Sequence, residues 1–203
     1  MIDYEIDPAL DYDAQLFRRG EYRWILVGGS INQDRGNKFE EEFHACVTSE
    51  QPFIPIMISS YGGHTDQLNR MVDLMETSTV PVVTIAKGMC MSAGVFLLSA
   101  GTPGYRWISS TCTVMVHDVS SIDYGKTEDM ISNAKALKKY RDAIFQRFDK
   151  HTGKKRNYWA KKLKESGNVD LCLTARKAKQ EGIADHIGIP RMKVQISLDV
   201  TIE

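Results

Sequence analysis

The chain has 203 residues, 42% of them apolar and 26% charged, with 26 basic side chains balanced by 26 acidic ones. That length supports one domain with a sizeable core. The even charge balance offers no electrostatic footprint for nucleic acid or for an anionic membrane, so neither is an expected partner.

The opening stretch, MIDYEIDPALDYDAQ, is acidic and lacks an apolar run. It does not read as a signal peptide, and residues 1–15 read as a loose, flexible N-terminal segment. Arg23–Val27 then predicts a buried strand that stops at Gly28-Gly29. Residues 37–49 predict a helix with Phe39, Phe43 and Cys46 on one face. Phe53–Ile58 predicts a second strand, running into Ser59-Ser60-Tyr61-Gly62-Gly63. Residues 65–76 predict a helix with Leu68, Met71, Val72 and Met75 turned inward. Pro81–Ala86 predicts a third strand, followed by an apolar helix from about Ser92 to Ala100 and strands at Tyr105–Ile108 and Thr113–Val116.

A long helix over 127–151 follows, with an apolar stripe of Met130, Ala134, Leu137, Ile144 and Phe148. It is longer than a small core needs and is expected to project or to pack on another subunit. Shorter helices are predicted near 158–165 and 175–181, the second capped by Thr174 and stopped by Gly182. Residues 193–203 alternate, with Val194, Ile196, Leu198, Val200 and Ile202 on one side, which reads as a C-terminal strand. Strands alternating with helices, and strand cores that are almost wholly apolar, predict an α/β fold with a mainly parallel sheet.

No apolar stretch is long enough to span a bilayer. Cys46, Cys90, Cys112 and Cys172 form no C-x-x-C pair and stand among apolar neighbours. That argues against a zinc site and for free thiols in a reducing compartment. The expectation is a cytoplasmic protein with no metal and no cofactor.

Four positions carry candidate chemistry. Ser92 lies in Gly88-Met89-Cys90-Met91-Ser92-Ala93-Gly94, after a buried strand and at a helix start. There a hydroxyl is presented at the carboxyl edge of the sheet and faces the positive end of a helix. Taken alone it reads as an N-cap. Gly62-Gly63 follows the preceding strand, and the Gly63 and Ala93 amides would make a two-donor oxyanion hole; a lone Gly-Gly pair is as often a tight turn. His117 ends an apolar strand and can reach a serine on the neighbouring element. Its neighbour Asp118 is a poor orienting group, because adjacent strand residues point to opposite faces. His64, beside Gly63, is a rival base or a wall of the specificity site, an exposed loop histidine being the plainer account. Asp170 by itself reads as a solvated loop carboxylate.

In order along the chain, these segments resemble the proteolytic subunit of the Clp protease. The matching pieces are the strand with Gly62-Gly63; Thr84-Ile85, Gly88 and Ser92-x-Gly94 followed by Phe96-Leu97-Leu98 and Ala100-Gly101; Val114-Met115-Val116-His117; and Asp170-x-x-Leu173-Thr174-Ala175 with Ala178 and Glu181–Asp185. The likeness covers nearly all of the chain after about residue 20. It implies the fold shared with crotonases, of repeated β-β-α and βαβ units with a projecting helix, in a single domain over 1–203. It implies a serine endopeptidase with Ser92 as nucleophile, His117 as base, Asp170 as orienting acid, and Gly63 and Ala93 as oxyanion donors. The implied partners are unfolded polypeptide substrates, copies of the same chain in heptameric or double-heptameric rings, and a hexameric ATPase of the AAA+ unfoldase type.

The chain departs from the family at Tyr61, where proline commonly stands, at Ala93, where methionine does, and at Val169 and Leu171, where charged residues flank the acid. Pro55, Met57 and Thr77 stand where aromatic anchors for the ATPase are expected, which implies atypical docking. Having no G-x-x-x-x-G-K-[ST] loop, the chain supplies no ATP-driven step itself. Two other readings remain open: a catalytically silent chamber subunit, and a crotonase-type acyl-coenzyme-A enzyme.

Overall fold

A computed structural model describes residues 4–6, 22–49, 51–119, 126–167 and 170–194. Strand β1 is Tyr4–Ile6, inside the segment expected to be loose. β2 is Ile25–Ile31, α1 Gln33–Thr48, β3 Ile54–Gly63, α2 Thr65–Glu76, β4 Val82–Met91 and α3 Ala93–Ser99. β5 is Arg106–Ile108, β6 Thr113–Val116, α4 Thr127–His151 and α5 Tyr158–Glu165. β7 is Leu171–Leu173, α6 Ala175–Gln180, β8 His186–Ile187 and β9 Met192–Val194.

The main sheet runs β2-β3-β4-β5-β8, with β6 also paired to β4. All of these pairings are parallel. Only β7, on β6, and the separate β1–β9 pair are antiparallel. The mainly parallel α/β sheet read from the sequence is therefore the sheet observed. Its strands are apolar on both faces, as buried parallel strands must be. Ile25, Ile31, Ile54, Ile56, Ile58 and Ile85 are fully buried. The expected alternating C-terminal strand enters the described residues only at β9, and the remainder of 193–203 lies outside them.

The glycines behave differently from the sequence reading. β2 does not stop at Gly28-Gly29 but passes through both, with a register shift between Gly29 and Ser30. β3 extends through Gly62-Gly63, and β4 continues past Gly88, where φ is +70°. A strand already paired on its neighbour absorbs a glycine as a bulge. These extensions carry β3 and β4 to the edge of the candidate site. Helix α1 likewise begins four residues earlier than expected. The Asn32 side chain caps it by accepting from the Arg35 amide at 2.9 Å, and Gly36 inside it gives the room that Gln67 of α2 fills.

α4 joins the body only over its second half. Ile144, Phe145 and Phe148 are buried there, with Phe148 4.4 Å from Phe96 and 4.6 Å from Trp159, centre to centre. Toward its start Ile131 and Ala134 are exposed, so the expected apolar stripe meets the core only at its far end. Asp149 caps α5 from outside it, accepting from the Asn157 and Trp159 amides at 2.7 and 3.0 Å. Arg106 pins the sheet to both neighbouring helices. It donates to Asp185 through Nε at 2.9 Å and Nη2 at 2.5 Å, and through Nη1 to the His151 carbonyl at 2.6 Å and the Ser99 carbonyl at 3.3 Å.

Glu181 ties α5 to the end of α6. It accepts from Tyr158 Oη at 2.6 Å and Lys162 Nζ at 2.7 Å, with Lys154 at 3.5 Å and Lys177 at 3.8 Å. Burial alone would raise its pKa, but these donors outweigh it and hold the carboxyl at about 2. A carboxylate with a depressed folded pKa stabilises the fold above its unfolded pKa, and that contribution is lost as pH falls through the folded value. The wild type should therefore lose stability as pH falls from about 4.5 toward 2. Glu181→Gln should be less stable at neutral pH and show a shallower acid loss. Urea midpoints at pH 7 and pH 3.5 check this; an equal drop in both proteins would count against it.

Candidate active site

Strand β4 delivers Ser92 to the start of α3 through a sharp reversal. Ser92 has φ +51° and ψ −125°, one of two described non-glycine residues with positive φ. Such a backbone is strained for a residue with a Cβ, and strain of this kind concentrates where a side chain must be held out for use. The Ser92 side chain does not cap α3. Its Oγ lies 2.8 Å from His117 Nε2. The plain N-cap account of Ser92 therefore fails.

The parallel β4–β6 ladder fixes this meeting. Cys90 pairs with Val114 and Met91 with Met115, and the Ser92 amide donates to the Met115 carbonyl at 2.8 Å. Two residues beyond Met115, His117 comes alongside. In the antiparallel β6–β7 pair, Val116 faces Leu171 and Met115 faces Cys172. His117 follows the last residue of β6 and Asp170 precedes the first residue of β7, so both stand at the same end of this pair. Asp170 is exposed. Among the described residues no hydrogen bond joins it to His117, so the structure brings Ser92 and His117 into contact and leaves Asp170 at the adjoining strand end, unjoined.

Gly62 is buried against the serine. A Cβ there would lie 2.6 Å from Ser92 Cβ and 2.9 Å from the Ala93 nitrogen, and φ is +95°. Its amide donates to Ser60 Oγ at 3.0 Å. Gly63 follows with φ +150°, and a Cβ on it would collide with the Ile31 carbonyl. Ala93 is the first residue of α3, where a helix leaves its amides without an internal acceptor. The Gly62 backbone thus lies against both Ser92 and the Ala93 amide, and Gly63 follows it against Ile31. His64 is exposed at the head of α2, and its side chain makes no capping bond.

Cys90 is two residues from Ser92, but it is fully buried, and burial drives its thiol well above the ordinary value. Burial also pushes Cys112 up to about 11. Neither offers a thiolate at neutral pH.

Alternation disfavours Asp118 only within a strand, and Asp118 lies beyond the end of β6. β6 ends at Val116, so no ladder enforces alternation at His117 and Asp118. Asp118 is instead engaged by Arg141 of α4, which donates to its Oδ1 from Nε at 2.6 Å and to its Oδ2 from Nη2 at 2.9 Å. The pair is 23 residues apart, and no local spacing signals it.

The Clp protease family model matches residues 11–191. The chain is similar to an ATP-dependent Clp protease proteolytic subunit 2 of Bacillus licheniformis, with 30% identity over 167 residues, 81% of this chain and 85% of the relative. It is similar to the proteolytic subunit 2 of Frankia casuarinae, with 30% identity over 187 residues, 91% of this chain and 81% of the relative. The proteolytic subunit 1 of Streptomyces coelicolor is 28% identical over 165 residues, covering 81% and 74% of the two chains. With a matching fold, a serine and histidine in contact at the sheet edge, and a family match spanning most of its length, the chain belongs to the Clp protease family.

Proposed function

We propose that this protein is a serine endopeptidase that cleaves unfolded polypeptides, with Ser92 as nucleophile, His117 as general base and Asp170 as orienting acid. The observation that carries the reading is the 2.8 Å contact between Ser92 Oγ and His117 Nε2, on a serine held at positive φ. In the reaction His117 takes the hydroxyl proton as Ser92 Oγ attacks the peptide carbonyl. The Gly63 and Ala93 amides receive the oxyanion, and His117 returns the proton to the leaving amine. Water then hydrolyses the acyl-enzyme by the same route. Asp170, across the β6–β7 pair, orients the ring through Nδ1. Such a contact often tightens only when substrate is bound.

The wider reading follows from family membership. The chain assembles into heptameric rings, single or stacked, with the exposed first half of α4 as a contact surface. Folded substrates reach the chamber through an AAA+ unfoldase, docked atypically because Pro55 and Met57 lie on β3 where aromatic anchors are expected. The setting is cytoplasmic; among the described residues no helix is long and apolar enough to cross a membrane.

The test is a fluorophosphonate probe with peptide mapping, run beside native mass measurement. Labelling confined to Ser92, on a ring-sized assembly, is the expected result. An unlabelled, folded protein would point to a silent chamber subunit instead.

A further inference from the structure

We infer that Arg141 is a positioning residue for the proposed base: by engaging both oxygens of Asp118 it keeps that carboxylate away from His117 and leaves the ring to Asp170. This rests on the catalytic reading above. Two carboxylates are brought close to His117 by chain and topology, Asp118 as the next residue and Asp170 just ahead of β7, the strand paired to β6. Asp170 lies across the strand pair, exposed and not yet bonded to the ring. Asp118 is the next residue in the chain, and with β6 ended at Val116 the backbone does not dictate its direction. Left free, it would compete for the Nδ1 proton and pull the ring off the line to Ser92.

Asp118 is instead held by three donors. Arg141 Nε and Nη2 approach at 2.6 and 2.9 Å, and the Val119 amide donates to Oδ1 at 2.8 Å. A two-pronged guanidinium contact fixes direction as well as distance, which a single ammonium does not. Arg141 is itself anchored. Its guanidinium carbon lies 5.2 Å from the centre of the Phe145 ring, which is buried, and Nη1 donates to Asp142 at 3.1 Å. It stands at the turn where α4 leaves solvent and joins the core, so the restraint is referred to the body of the protein. Pairs this exposed contribute little to stability, whereas a fixed carboxylate beside a catalytic ring matters through geometry.

The test is a double-variant cycle on the full-length protein with a fluorogenic peptide. Arg141→Met keeps an aliphatic stem over Phe145 and removes the donors. It should lower kcat by roughly 10²-fold, as small misplacements of reacting groups do, with KM changed by less than about twofold. Arg141→Lys should recover part of the loss. The deciding variant is Asp118→Asn with Arg141→Met. The ion pair is just as broken there, but the competing carboxylate is gone, and kcat should recover most of what Arg141→Met lost. A double variant as slow as Arg141→Met, or slower, would overturn the inference and leave an ordinary structural clamp.

A crystal structure of Arg141→Met gives a readout that needs no turnover. Asp118 should be found within hydrogen-bonding distance of His117 Nδ1. An Asp118 still turned toward α4 would refute the positioning role even in an active peptidase. A wild type that no serine probe labels would sink the catalytic reading separately, while this structure still judges the pair.

Discussion

Ser92→Ala should abolish peptide hydrolysis while leaving the fold intact. In serine triads, loss of the nucleophile costs roughly 10⁶ in turnover, and the residual rate comes from the oxyanion donors and binding. Nothing in the packing argues for collapse. The hydroxyl does not cap α3, and its bond to His117 lies at the site and not in the core. Ser92→Gly should be equally inactive yet more stable than Ser92→Ala. At φ +51° the alanine retains the backbone strain and glycine relieves it, by about 1 kcal/mol after glycine's greater unfolded-state freedom is counted. Progress curves on a fluorogenic peptide and thermal unfolding midpoints of the three proteins decide the matter. Near-wild-type turnover in the alanine variant would remove Ser92 from the mechanism. An alanine variant more stable than the glycine one would mean the backbone at 92 is not strained.

His117→Ala should be as damaging as loss of the serine, again roughly 10⁶-fold, because nucleophile and base act as one unit. The double variant with Ser92→Ala should then be no worse than either alone. His64→Ala should leave turnover within about tenfold of wild type, since a general base contributes 10²-fold or more and a wall residue does not. The geometry separates the two histidines. His117 Nε2 is in contact with Ser92 Oγ, whereas His64 heads α2 with an exposed side chain. Steady-state kinetics on the two single variants are sufficient. A dead His64→Ala beside an active His117→Ala would transfer the role of base.

The parts of this molecule legible in its sequence are those where a residue pattern and a structural period coincide. α2 and α4 span the residues their periodicity predicted, 65–76 and 127–151. Thr174 and Gly182 bound α6 much as capping rules require. The strands were under-read because glycine in a sequence looks like punctuation, whereas in a sheet the neighbouring strand decides whether pairing continues past it. β7 and β8, of three and two residues, are too short to show a period and exist only through distant partners. At the site, Ser92 and His117 stood out by their positions at element ends. Asp170 was suggested by family resemblance alone, and its place beside the end of β6 emerges only once β7 is known. The Asp118–Arg141 pair had no signal in sequence, since it depends on where a helix lands after a turn of the chain.

The two ends of the proposed triad rest on supports of very different depth. Ser92 and His117 grow from β4 and β6, strands whose inward residues are fully buried and whose pairing is continuous with the central sheet. Asp170 hangs from three residues of β7, which among the described residues pairs with β6 alone. Segments with so few buried contacts open locally long before the molecule as a whole does. With Asp170 as the orienting acid, activity should be lost reversibly on heating at a temperature below the unfolding midpoint, as this single short edge peels; peptide turnover and near-UV circular dichroism followed through the same temperature ramp check it, and coincident losses would count against it.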